Sequence, residues 1–204
     1  AHTAEEAEQK GGHLKLLATE EKLFVEKEIK PAGSKTHFTV RLGGIIDRID
    51  EVDNGNGMPT IRVVDYKTSA SPQTVSDIAQ LFGEKADECY HITQTLYYCD
   101  VICDNGAYGA ANLPVVPAIM YYKNNISNES PVVKMYDSKA EKRPQKKPYI
   151  ESYVVKCRDD FRALMYKVIE DIFSPGAFTA TENEKNCKFC DFKQMCRKRL
   201  SAEN

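Results

Sequence analysis

The sequence predicts an α/β fold, a central mixed β-sheet flanked by helices. Three apolar or alternating segments near the N-terminus read as strands, a long helical pattern follows them, and strand and helix patterns then take turns up to residue 173. With 204 residues, 42% of them hydrophobic, the chain can bury a sizeable core as a single domain over 1–204.

The elements follow in order. Leu23-Phe24-Val25-Glu26-Lys27-Glu28-Ile29 alternates like an edge strand (about 22–30), and a second strand runs over 37–50. Asp53-Asn54-Gly55-Asn56-Gly57 has the turn chemistry that closes a hairpin, so the third strand, 60–67, should return antiparallel. That run lacks the spacing and closing Glu of an EF-hand. A helical stretch over 72–103 is broken near Gly83. Ala118–Tyr122 and Tyr149–Val155 read as two more strands, with 124–148 as an exposed connection between them. A helix from Arg158 to Phe173 is stopped by Ser174-Pro175-Gly176. No internal repeat, no Gly-x4-Gly-Lys-Ser/Thr phosphate loop and no apolar run of membrane-spanning length is present.

The chemistry concentrates where two strands end in charge, Gly44-Ile45-Ile46-Asp47-Arg48-Ile49-Asp50 and Val63-Val64-Asp65-Tyr66-Lys67-Thr68. Strand alternation puts Asp65 and Lys67 on one face, and the hairpin brings Asp47 alongside. Two carboxylates suit a hard cation such as Mg²⁺, which keeps open positions for water and phosphate. An ammonium on the same face balances charge developing on a phosphate. These residue types point to metal-assisted phosphodiester cleavage. An Asp and a Lys two apart at a strand end are also common in purely structural ion pairs. Tyr90, Gln94 and Tyr98 are spaced four apart and share a helix face, which on spacing alone also suits packing on the sheet.

Gly44-x-x-Asp47-Arg48-x-Asp50, Asp65-x-Lys67, Gln94-x-x-x-Tyr98 and Cys187-x2-Cys190-x5-Cys196, in that order, resemble the PD-(D/E)XK nuclease superfamily, in particular its RecB/AddB-type, helicase-associated nuclease domains. The resemblance spans roughly residues 23–199 and implies a restriction-endonuclease-like core. It implies that Asp47, Asp65 and the Tyr66 backbone carbonyl bind Mg²⁺ or Mn²⁺. By the same resemblance Lys67 positions or activates the attacking water, while Gln94 and Tyr98 line the site. It further implies an exonuclease working in DNA repair or recombination beside a helicase domain or subunit, on single- or double-stranded DNA. No groove-entering recognition helix is visible, so no sequence preference is expected. The family's upstream histidine motif has no match here. Glu28, His2 and His13 are weak substitutes, and the expectation is a C-terminal fragment of a longer protein.

Seven cysteines, an odd number with no secretory signal, favour reduced thiols and a cytoplasmic location. Cys99 and Cys103, four apart on an apolar helix, read as small core residues, as does Cys157. Cys187, Cys190 and Cys196 are close enough in sequence to share one ion or cluster, and zinc, iron–sulfur or free thiols all remain open on spacing. The AddB-type resemblance implies a [4Fe–4S] cluster completed by a fourth cysteine upstream of Ala1. A thiol redox role suits Cys187-x2-Cys190 poorly, because the pair follows a helix and a Pro-Gly break.

The formal net charge of −2 offers no overall attraction to DNA. Lys134, Lys139, Lys142, Arg143, Lys146 and Lys147, with Lys193, Arg197, Lys198 and Arg199, are candidate phosphate contacts or merely solvated runs. Two readings follow, a divalent-metal-dependent DNA nuclease or a non-catalytic nucleic-acid-binding or scaffold module with an incomplete site.

Overall fold

The computed structural model describes residues 7–31, 33–55, 57–68, 72–83, 86–122, 131–135, 149–174, 181, 187, 188 and 190–193. Among these, β1 (His13–Ile29), β2 (Phe38–Asp53), β3 (Thr60–Lys67) and β4 (Val115–Tyr121) form one sheet in the order β1-β2-β3-β4. The first two pairings are antiparallel and β3–β4 is parallel, so the sheet is mixed. The turn after β2 is held by the Gly55 N–H, which donates to Asp53 Oδ1 at 2.9 Å.

The parallel step requires a crossover, and α1 (Tyr90–Asn105) supplies it. Its Ile92, Leu96, Cys99 and Ile102 share one core with Ile49, Ile61 and Val63, all of them fully buried. The i, i+4, i+7 spacing of the first three gives the helix an apolar stripe that covers one sheet face. Cys89 at its N-cap makes no side-chain capping bond, its thiol donating instead to the Thr74 carbonyl at 3.8 Å, and Gln73 Oε1 accepts from the His91 N–H at 2.9 Å. Gly106, at φ 70°, closes the other end.

Three expectations are corrected. Residues 72–83 and 86–89 are not part of the helix: they hold 3₁₀ turns at Ile78–Phe82 and Ala86–Glu88, the first ending at Gly83. Tyr149–Val155 is not a strand. Tyr149 makes a single bridge to Lys134, and Ser152 Oγ accepts from the Val155 N–H to start a short helix, α2 (Tyr153–Lys156). β1 starts at His13, well before residue 22; the Leu14/Leu16 alternation of its outer half is broken by a register shift between Leu16 and Ala18, which hides the strand period. The expected helix after Arg158 is α3 (Arg158–Phe173). Pro175, Gly176 and most of the 124–148 connection lie outside the described residues.

A charged brace fastens α3 to α1 and β1. Asp100 Oδ1 accepts from Arg162 Nε at 2.7 Å and from the Tyr153 hydroxyl at 3.1 Å. Asp104 takes Arg158 Nη2 at 2.7 Å, Lys27 Nζ at 2.7 Å and the Arg162 guanidinium as well.

Candidate functional site

β2 changes its phase of alternation at Asp47. Ile46 and Ile49 are both fully buried in the same core although three residues apart, which regular pleating forbids. Opposite, Glu20 takes φ 50° while the register stays constant from Thr19↔Arg48 to Glu21↔Ile46, and the β1–β2 register shift lies between Leu16 and Ala18. The change of phase therefore lies between Ile46 and Ile49, the stretch that holds Asp47, and the left-handed backbone is on the facing strand at Glu20.

Asp65 and Lys67 end β3 as the alternation predicts. Lys67 Nζ lies 2.7 Å from Asp65 Oδ2, and the Tyr66 N–H donates to Asp47 Oδ2 at 2.8 Å, which brings the two carboxylates to one strand end. Burial raises the Asp65 pKa above the usual carboxylate value; Lys67 opposes this and the Asp47 charge adds to it. The Asp65 side chain is 3% exposed, and its Oδ2 accepts no well-directed hydrogen bond besides the Lys67 ion pair.

α1 delivers the polar partners. Lys67 Nζ donates to Gln94 Oε1 at 2.7 Å, and Gln94 Nε2 donates to the Tyr98 hydroxyl at 3.2 Å. Each end of the Gln94 amide is thereby assigned, and the ammonium is held between a carboxylate and a carbonyl. Gly44 permits this approach, since a Cβ there would sit 3.1 Å from Tyr98 Cε1. The neighbouring Tyr97 hydroxyl accepts from the Gly43 N–H at 2.5 Å. Asp47, Asp65, Lys67, Gln94 and Tyr98 are thus brought together.

The remaining motif residues work on the far face. Arg62 grips Asp50 with two 2.8 Å hydrogen bonds, Arg48 Nη2 meets the same carboxylate at 2.8 Å, and Arg48 Nη1 donates to the Tyr66 hydroxyl at 3.3 Å. Arg48 and Asp50 therefore lock β2 to β3 beneath the site. Sequence reading missed Tyr121 and His91. Tyr121 is the β4 register partner of Lys67, and its hydroxyl accepts from the Gln73 N–H at 3.0 Å and meets His91 Nδ1 at 3.2 Å. Burial, and then the Lys67 charge, lower the His91 pKa, so it stays neutral near pH 7. No short-range spacing announces that contact.

Glu28 pairs with Thr39, eight residues along β2 from Asp47, roughly 27 Å away. His13 Nε2 lies 3.4 Å from Glu51 Oε1, and His2 is outside the described residues. Among the described residues, no group of three or more His, Cys, Asp or Glu converges as a metal cage. The strand-end site instead offers two carboxylates against one ammonium, with a buried, under-satisfied oxygen. A small hard cation fits such a donor set, because it binds through one or two carboxylates and fills its other positions from water and substrate.

Cys187 is buried, and the Cys190 N–H donates to its carbonyl at 3.3 Å, so a tight turn joins the two; Cys196 lies outside the described residues. Burial pushes the Cys103 thiol up to about 11 and the Cys157 thiol up to about 12, as befits small core side chains. Among the candidate phosphate contacts, Lys134 stands 5.6 Å over the Tyr149 ring and Lys193 is described; the other eight fall outside the described residues. No helix among the described residues is long and apolar enough to cross a membrane.

A mixed sheet with helices on it, and an acidic site at the carboxyl end of a strand beside a parallel neighbour, define a restriction-endonuclease-like α/β protein. A family model of the PD-(D/E)XK nuclease superfamily matches residues 2–197, and the chain belongs to that superfamily, whose members are generally nucleases. Comparison with curated proteins and with solved structures yields no match.

Proposed function

We propose that this chain is a divalent-metal-dependent DNA nuclease domain, with Asp47, Asp65 and the Tyr66 carbonyl as donors to Mg²⁺ or Mn²⁺. The observation that carries the reading is the uncompensated negative charge of the Asp47–Asp65 pair beside a Lys67 held in place from two sides. When bound, the cation would lower the pKa of a water and neutralise charge on the phosphate. Lys67 contributes a fixed ammonium where negative charge develops and holds the attacking water in line. Gln94 keeps that ammonium aimed, because losing the carbonyl would leave Asp65 as the site's remaining anchor for it. Tyr98 fixes the Gln94 amide. Asp47 is oriented by the Tyr66 N–H, so both carboxylates are placed before any ligand arrives.

The resemblance to RecB/AddB-type domains supports a finer reading: exonucleolytic digestion in cytoplasmic DNA repair or recombination, beside a helicase domain or subunit. It also supports a [4Fe–4S] cluster held by Cys187, Cys190, Cys196 and a cysteine outside this sequence. The tight Cys187–Cys190 turn suits that ligation, and iron and sulfide analysis of the anaerobically purified protein tests it.

The direct test is cleavage of linear DNA with Mg²⁺ or Mn²⁺. Metal-dependent cutting lost in Asp65→Ala and Lys67→Ala supports the nuclease, whereas binding without cutting by the folded wild type supports the scaffold reading.

A further inference from the structure

Next to the site, an open groove of about 400 Å³ is lined by Phe82 and Ala86 of the 3₁₀ turns, by Tyr90, Thr93 and Gln94 of α1 and by Phe161 of α3. Its walls are aliphatic and aromatic, apart from the Thr93 hydroxyl and Gln94. Gln94 belongs to both places: its amide holds Lys67 and its stem lines the groove. The apolar slot and the Asp65–Lys67 site therefore share Gln94 as a common wall.

We propose that this groove takes an unpaired nucleobase of the strand whose phosphate occupies the site, so that the domain engages single-stranded or frayed DNA. The inference rests on the nuclease reading above and specifies its substrate. One sugar separates a base from its phosphate, which matches a slot sharing a residue with the phosphate site. Paired bases are stacked inside a duplex and cannot enter; a base in a single strand can, and its π-face stacks on aromatic rings whatever its identity. The rings are already fixed. Tyr90, 55% exposed, packs edge-on against the buried His91 ring at 4.1 Å, and Phe82 packs on Phe161 at 5.4 Å. The size falls within the range of small-molecule sites.

The test uses the Asp65→Ala background, which prevents cutting, and follows fluorescence anisotropy of a labelled oligothymidylate, of an abasic strand of equal length and of a blunt duplex, all with Mg²⁺. Tyr90→Ala removes an exposed wall, and Ala86→Phe fills the groove from the other side. Expected is roughly tenfold tighter binding of oligothymidylate than of the abasic strand, a preference that collapses in both variants while the abasic strand binds as before. Equal affinity for the two strands, an undiminished preference in both variants, or tighter binding of the duplex overturns the proposal. The nuclease reading is scored separately by wild-type cleavage. Cutting without a base preference overturns the groove alone, and absence of both cutting and DNA binding overturns both.

Discussion

Two carboxylate pairs stand on the same framework and are treated oppositely. Asp100 and Asp104 face three cations, Lys27, Arg158 and Arg162, with the Tyr153 hydroxyl in addition. Asp47 and Asp65 face one ammonium, Lys67. The first cluster is more than neutralised and ties two helices and a strand together. The second keeps a net negative charge at a strand end, two carboxylates against one ammonium. Buried charge without compensation is costly, so a fold retains it where a ligand completes it. The contrast separates a structural cluster from a candidate metal site without reference to any relative.

The contrast can be broken in several ways, the largest first. Asp47→Ala or Asp65→Ala should lower metal-dependent cleavage by about 10³-fold or more, with the melting temperature held within roughly 3 °C of wild type. Lys67→Ala should lose about 10²- to 10³-fold in kcat while Mn²⁺ binding persists. Gln94→Ala should cost about tenfold to 10²-fold in kcat, because the ammonium loses its aim and not its charge. Arg162→Ala reverses the pattern. It should destabilise the fold by about 2 to 3 kcal/mol, read by urea unfolding, and leave specific activity of the folded fraction near wild type.

The smallest effect concerns acid. Burial acts to raise the Asp104 carboxyl, but the Arg162 and Lys27 hydrogen bonds outweigh it and hold the pKa below the usual carboxylate value. A carboxylate depressed in the folded state contributes stability above its unfolded pKa and loses it as pH falls through the folded value. Wild type should therefore lose stability as pH falls below the ordinary carboxylate range of about 4, and Asp104→Asn should flatten that limb in urea titrations.

The sequence made the β2–β3 hairpin and its charged ends legible because the cues are local. Alternation fixes the faces, Asp53 and Gly55 make the turn, and a spacing of four joins Gln94 to Tyr98. The misreadings have local causes as well. Tyr149–Val155 is rich in β-branched and aromatic residues, and Ser152 overrides them by capping a helix. The stretch before Tyr90 has helical composition, but its described turns at Ile78–Phe82 and Ala86–Glu88 are 3₁₀, and the first is closed at Gly83. The brace was not legible at all. Arg158 lies 54 residues from Asp104 and Arg162 lies 62 from Asp100, and no periodicity records such a pairing. The groove beside Gln94 arises the same way, from α1, the turns before it and α3 meeting in space.

The most direct test of the contrast is a Mn²⁺ titration followed by the free-ion EPR signal on wild type, Asp65→Asn and Asp104→Asn. The account predicts saturable binding in wild type, retained in Asp104→Asn and lost in Asp65→Asn. Binding that survives Asp65→Asn unchanged would contradict it, because the strand-end pair would then not be where the cation resides.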